Sequence, residues 1–135
     1  MKPICDHIGL FTANAQKMQE FYIQALGFEL GSETILSESI VADIFGIAAD
    51  CRFVKLHKDG FMIEIFEPLS LRLQEQMAHR VGINHWGYCV TERDILLETL
   101  RKGNVPIIEI KRNGRIVYFL ADPDGNRIEL RECRE

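Results

Sequence analysis

The stretch Asp6-His7-Ile8-Gly9-Leu10 returns in altered form as Asn84-His85-Trp86-Gly87-Tyr88. A second related pair of stretches follows the same order, with MIEIFE at 62–67 and RIELRE at 127–132. From the first of these stretches to the second, each half shows four strand-like runs and one amphipathic helical pattern, in the order β-α-β-β-β. An internal repeat of this kind indicates two copies of one supersecondary unit. The sequence therefore predicts an α+β fold of two tandem βαβββ modules.

The clearest helix is predicted at 15–26. Asn14 is a suitable N-cap and Gly27 a suitable C-cap, and the apolar residues between them recur at helical spacing. In the second half, Thr91 with Asp94 forms a near capping box that opens a helix extending to about residue 102.

One segment of the first half has no counterpart in the second. Residues 33–50 contain apolar residues at helical spacing, followed by Gly46, and predict a short helix. This segment could form an apolar wall or lid, or pack as a helix at the sheet edge. We predict a single domain over 1–135, with modules at 1–67 and 82–135 and a connector at 68–81.

Composition limits the classes of function. The chain has 135 residues, 47% of them hydrophobic, and a formal net charge of −4 without a block of Lys or Arg. This argues against nucleic acid as a partner, and no apolar run has the length of a membrane span. Asp6 and His7 interrupt the N-terminus, so no signal peptide is expected. We predict a cytoplasmic protein whose four cysteines are reduced.

Each predicted module places one histidine on its first strand and one glutamate on its last: His7 with Glu64, and His85 with Glu129. Side chains alternate across a strand, and in all four strands the apolar residues lie opposite the His or Glu. If the apolar faces cover the helices, these four side chains share the helix-free face.

Two imidazoles and two carboxylates that converge form a divalent metal site, and mixed N/O ligation suits Zn, Ni, Co, Fe or Mn. A single strand histidine is more often structural, and a single strand glutamate more often faces solvent. The repetition in both modules favours the metal site.

The chain resembles the vicinal oxygen chelate superfamily, which contains glyoxalase I, bleomycin resistance proteins and extradiol dioxygenases. The resemblance rests on the opening at 6–10, on Phe21-Tyr22 and Leu26-Gly27-Phe28, and on the ending DPDGNRIEL at 122–130. It implies a curled mixed sheet that forms a cup. The set His, Glu, His, Glu is similar to that of bacterial glyoxalase I.

The resemblance implies a metal-dependent lyase or isomerase that transfers a proton through a metal-bound enediolate of a small carbonyl substrate. Glu129 would be the mobile base and Glu64 the second carboxylate, with Phe11, Val117 and Phe119 in the substrate pocket. On strand alternation, Arg127 stands on the same face, where it could hold a small anion or be a solvated residue beside a turn.

The chain departs from glutathione-dependent relatives at two positions. It has Phe11 and Pro68 where they commonly have Arg and Asn, so we predict that a glutathione adduct is a poor substrate. Alternatives are a metal-dependent thiol transferase or dioxygenase, or a non-catalytic protein that binds a small ligand. Because sheet edges must be covered or paired, and because related proteins dimerise, we also predict a homodimer.

Overall fold

The structure is a computed structural model that describes residues 5, 7–70, 72, 85–112 and 114–133. The chain divides into two compact units, Met1–Arg80 and Val81–Glu135. Most of the predicted connector at 68–81 lies outside the described residues. Among these residues, no helix is both long enough and apolar enough to cross a membrane.

The described residues of the first unit include a four-stranded mixed sheet and the helices α1 and α2. The strand order is β1-β4-β3-β2; β1 pairs in parallel with β4, and the remaining pairs are antiparallel. In chain order the elements are β1 (His7–Phe11), α1 (Ala15–Leu26), β2 (Glu29–Leu36), α2 (Glu38–Phe45), β3 (Cys51–Lys58) and β4 (Phe61–Pro68).

The described part of the second unit repeats this arrangement with one helix. Its strand order is β5-β8-β7-β6, again with a parallel pair formed by the first and last strands. The elements are β5 (His85–Val90), α3 (Arg93–Lys102), β6 (Ile107–Arg112), β7 (Arg115–Ala121) and β8 (Arg127–Glu132). The predicted α+β fold of two βαβββ modules is confirmed.

Helix α1 begins and ends where the sequence predicts. The Asn14 side chain accepts a hydrogen bond from the Lys17 amide at 3.0 Å, and Gly27 ends the helix in the left-handed region with φ of 72°. A second acceptor comes from β4, because Glu67 Oε2 accepts a hydrogen bond from the Ala15 amide at 2.6 Å. In the second unit, Glu132 Oε2 likewise accepts from the Arg93 amide at 3.1 Å.

Each sheet has an apolar face and a face that carries the predicted ligands. In the first unit α1 packs against β3 and β4, and the side chains on that face are fully buried: Val54, Leu56, Ile63 and Ile65. In the second unit Leu97 and Leu100 of α3 are buried, as are Leu120, Ile128 and Leu130 of the sheet. His7, Glu64, His85 and Glu129 therefore lie on the opposite faces of their sheets, as predicted.

The short helix predicted within residues 33–50 is confirmed as α2, Glu38–Phe45, with Gly46 as its C-cap. Residues 33–36 ahead of it belong to β2. One local expectation needs correction. The N-cap of α3 is Glu92, which makes no side-chain capping bond, so the predicted box of Thr91 and Asp94 is not formed. Glu132, a neighbour in space rather than in sequence, satisfies the Arg93 amide instead.

The prediction of four reduced cysteines is also wrong. Cys89 on β5 and Cys133 after β8 are joined by a disulfide, with their Cα atoms 5.3 Å apart. Parallel pairing of β5 with β8, continued by a hydrogen bond from the Cys133 amide to the Val90 carbonyl, brings the two residues together. Cys5 and Cys51 are free thiols, the first exposed and the second buried.

Candidate functional site

The face of the first sheet opposite α1 will be called the histidine face of that unit. Strand register arranges its side chains in rows that run across β1, β4 and β3. The first row is His7, Met62 and His57; the second is Gly9, Glu64 and Lys55; the third is Phe11, Phe66 and Phe53. Along the strands, a row with two imidazoles is thus followed by a row with two charged side chains and then by a row of three aromatic rings.

The two predicted ligands of the first unit are neighbours. His7 Nε2 lies 3.8 Å from Glu64 Oε2, and Lys55 Nζ lies 3.8 Å from the other oxygen, Oε1. The imidazole is half exposed, whereas the Glu64 side chain is only 17% exposed. Glu64 therefore lies between an imidazole and a cation.

The second unit repeats this pair on its own histidine face, which is the face of β5 and β8 opposite the buried leucines. His85 Nε2 lies 3.7 Å from Glu129 Oε2, and Arg131 Nε lies 3.7 Å from Glu129 Oε1. Phe119 is paired in register with Glu129, and its ring meets the His85 ring edge-on at 5.5 Å. The predicted pocket residue Phe119 thus lies beside both members of the pair.

Both pairs fit the requirements of a divalent metal at the level of donor chemistry. Imidazole nitrogen and carboxylate oxygen bind such ions at about 2.0–2.2 Å, so two donors on one ion stand about 3.0–3.5 Å apart. Separations of 3.7 and 3.8 Å exceed this by a few tenths of an ångström, which a small side-chain rotation removes. The described residues contain no group of three or more potential ligands. Each unit therefore presents half of the predicted quartet.

An aromatic cluster borders the first pair. Phe66 is 6% exposed, and it stacks on Phe53 with centroids 4.6 Å apart and planes 14° from parallel. Phe45, the last residue of α2, meets the rings of Phe66 and Phe11 at 4.9 Å each. The histidine face is therefore not helix-free, because α2 contributes one ring to it.

The other predicted site residues fall on the second histidine face. Register places Arg127 opposite His85, and Val117 lies two residues before Phe119 on β7. Sequence reasoning missed Lys55, Phe53, Arg131 and Phe45. The first three could have been found by extending strand alternation to β3 and to the end of β8. The position of Phe45 depends on how α2 packs, which no sequence pattern specifies.

One titratable group near this face is perturbed. Cys51 is paired in register with Pro68, at the end of the histidine face beyond the aromatic row. Burial raises the pKa of its thiol, and the negative charges of Asp50 and Glu67 raise it further. The thiol therefore stays protonated at neutral pH and is a poor nucleophile.

Comparison with known proteins points to one family. The model of the glyoxalase/bleomycin resistance protein/dioxygenase superfamily matches residues 4–130. No curated protein matches the chain. Among solved structures, a glyoxalase family protein from Enterococcus faecalis is 21% identical, with a TM-score of 0.68 and coverage of 96% of this chain and 97% of that one.

Two further structures show how varied these relatives are. The trypanothione-dependent glyoxalase I of Leishmania major is 18% identical, with a TM-score of 0.64 and coverage of 97% of this chain and 87% of that one. TnmS3, an antibiotic binding protein from Streptomyces sp. CB03234, is 14% identical, with a TM-score of 0.66 and coverage of 98% of both chains. Similarity at this level concerns the fold alone.

Proposed function

Because the chain belongs to the glyoxalase/bleomycin resistance protein/dioxygenase superfamily, we propose that it is a divalent-metal-dependent lyase or isomerase. The reaction is proton transfer at a carbon next to a carbonyl group of a small substrate. His7, Glu64, His85 and Glu129 would hold the ion. The observation that carries this proposal is the repeated His–Glu pair, 3.8 Å apart in one unit and 3.7 Å in the other.

The surroundings of the two carboxylates support an active role. In each pair one oxygen faces the imidazole and the other faces a cation, which is Lys55 for Glu64 and Arg131 for Glu129. Both glutamates are shielded more than their histidines, at 17% and 24% exposed. A cation next to one oxygen leaves the other oxygen directed to the imidazole side, where general acid–base chemistry would use it.

The mechanism assigns a separate task to each carboxylate. A bound divalent ion supplies positive charge that polarises the substrate carbonyl. Glu129 would leave the ion when the substrate arrives and remove the proton from the adjacent carbon, with Arg131 beside its Oε1. Glu64, as the second carboxylate, would take up a proton from solvent in exchange for the one that Glu129 releases there, and would return it to the substrate. Phe119 beside His85 would shield the reacting carbon from water.

A second candidate function is favoured by the aromatic cluster of Phe11, Phe45, Phe53 and Phe66. A cluster of partly exposed rings suits capture of an apolar ligand without chemistry, and one structural relative is described as an antibiotic binding protein. A thiol transferase or dioxygenase needs only His7, His85 and Glu129, so the same residues accommodate it. Metal binding separates the enzymatic candidates from metal-free capture.

The test is calorimetric titration of the chelator-treated chain with Zn²⁺ and Ni²⁺. We expect about one ion per chain, and tighter binding of Ni²⁺ and Zn²⁺ than of Mn²⁺. Replacing His85 with Ala should remove most of the affinity while the circular dichroism spectrum stays unchanged.

A matched control is His57→Ala, because His57 lies in the same row as His7 but forms no ion pair with a glutamate among the described residues, its register partner Glu29 on β2 included. It should bind the ion as the wild type does. Stoichiometric binding of wild-type affinity in the double variant His7→Ala, His85→Ala would overturn the proposal.

A further inference from the structure

The second row of the first histidine face contains an open position beside the proposed ligands. Gly9 lies opposite Glu64, between His7 and Phe11 on β1. A Cβ atom added at Gly9 would meet one heavy atom of the described residues within 4 Å, apart from its chain neighbours: Phe66 Cε2, at 3.5 Å. Glycine inside a strand weakens it and often marks a bulge, a tight bend, or the close approach of a ligand or another backbone. The β1–β4 register runs through Gly9 without a shift, so no bulge accounts for it.

The walls of this open position differ in chemistry. On one side stand the His7 imidazole and the Glu64 carboxylate. On the other stands Phe11, and the edge of Phe66 forms the floor. A molecule that fills the space would present polar atoms to the His–Glu pair and an apolar part to the rings.

Ring geometry indicates what that apolar part is. The neighbouring rings already meet edge-to-face at 4.9 Å and stacked at 4.6 Å, and Phe45 braces both Phe11 and Phe66. Ring pairs in such arrangements are stabilised beyond the apolar area that they bury, a contribution that a saturated ligand of equal size lacks. Phe11 and Phe53 remain partly exposed, so the cluster has ring surface left to offer.

We propose that Gly9, Phe11 and Phe66 form a subsite for a planar aromatic ring, and that the substrate is an aryl-substituted carbonyl compound. The substrate class rests on the proposed function, whereas the ring subsite itself uses residues of the first unit alone. Lys55 lies over Phe53, 5.3 Å from the ring centroid, and limits the cluster on the β3 side. The ring therefore lies over Gly9, with its carbonyl group on the side of His7 and Glu64, the pair that would hold the ion.

The first experiment compares three hydroxamates, which chelate a metal through two vicinal oxygens, on the Zn²⁺-loaded chain. Benzohydroxamate should bind about 3- to 10-fold more tightly than cyclohexanecarbohydroxamate, because only the former makes ring–ring contacts. It should bind on the order of 50-fold more tightly than acetohydroxamate, which buries far less apolar surface. Calorimetry measures all three.

Variants locate the subsite. Gly9→Ala places a methyl group at ordinary contact distance from Phe66, so the fold is retained while the ring is displaced, and the preference for benzohydroxamate should disappear. Phe11→Leu keeps an apolar side chain but removes a ring, and should reduce the preference. The matched control is Gly87→Ala, opposite Glu129, where an added Cβ meets nothing within 4 Å among the described residues. It should leave the preference unchanged.

A second experiment needs no metal. Benzamide and cyclohexanecarboxamide are titrated into the metal-free ¹⁵N-labelled chain, and only benzamide should shift the Gly9 amide resonance. If no hydroxamate binds but benzamide shifts Gly9, the proposed metal chemistry fails and the ring subsite stands. If the aromatic probe has no advantage in either experiment, the inference is overturned, whether or not the chain binds metal.

Discussion

Replacement of Glu67 with Ala tests whether strand β4 supports the start of helix α1. Glu67 Oε2 accepts a 2.6 Å hydrogen bond from the Ala15 amide in a partly buried position. This amide is one of the helix N-terminal donors that have no partner inside the helix. The alanine variant leaves it without its acceptor and removes a negative charge from the positive end of the helix dipole.

The expected loss follows from these two contributions. A hydrogen bond to a charged group contributes about 1.5–3 kcal/mol, and a carboxylate at a helix N-terminus contributes about 0.3–1 kcal/mol, which partly overlaps with the bond. We expect Glu67→Ala to lower the free energy of unfolding by about 2 kcal/mol. Glu132→Ala removes the equivalent bond, which is longer at 3.1 Å and exposed, and should cost about 0.5–1 kcal/mol.

Urea unfolding followed by circular dichroism measures both values. Glu67→Gln is the control, because the amide oxygen keeps an acceptor and loses only the charge; its stability should lie between those of the wild type and Glu67→Ala. An alanine variant of Glu67 within about 0.5 kcal/mol of the wild type, or no worse than Glu132→Ala, would refute the reasoning.

Four further predictions concern chemistry and assembly. Glu129→Gln should lower the rate of proton exchange on a hydroxyketone in D₂O by about 10²–10⁴-fold while metal binding only weakens; near wild-type exchange would shift the base assignment to Glu64. The hemithioacetal of glutathione and methylglyoxal should react with a kcat/KM well below about 10⁶ M⁻¹s⁻¹, because Phe11 offers no partner to a carboxylate; a rate at that level would contradict this. The pKa of Cys51 is raised in the folded chain. Its thiol therefore contributes stability that is fully present below the ordinary thiol pKa of about 8.5 and is lost as pH rises through the raised pKa. Cys51→Ala should flatten the alkaline decline in the free energy of unfolding, and an unchanged slope would contradict this assignment. Sedimentation at micromolar concentration should give a species of twice the 15.5 kDa chain mass, and a purely monomeric sample would exclude the homodimer.

The parts of the fold that depend on local patterns were predictable from the sequence. Helix α1 carries its stripe and both caps within a few residues, and its bounds are as predicted. The His–Glu pairs were predictable because the repeat identifies the strands and alternation identifies the face. Helical spacing and strand alternation act over a few residues, and the repeat is found by comparing the two halves of the sequence.

The parts that depend on packing in space were not predictable. Strand β2 is exposed along most of its length and shows no apolar alternation. Its strand conformation is therefore set by pairing with β3 and not by the pattern of its own residues. The cap on the Arg93 amide comes from Glu132, 39 residues away. The Cys89–Cys133 bond likewise joins residues 44 positions apart, and cysteine spacing alone cannot specify a partner.

Parallel pairing of the first and last strands of each unit sets the order in which the site can assemble during synthesis. His7 meets Glu64 only when β4 has joined β1, so the first pair requires nearly all of its unit but nothing beyond Pro68. His85 likewise meets Glu129 only when β8, which ends at Glu132, has joined β5. Pairings of such long sequence separation fold slowly. A ribosome-bound chain should therefore acquire the His7–Glu64 pair well before the His85–Glu129 pair.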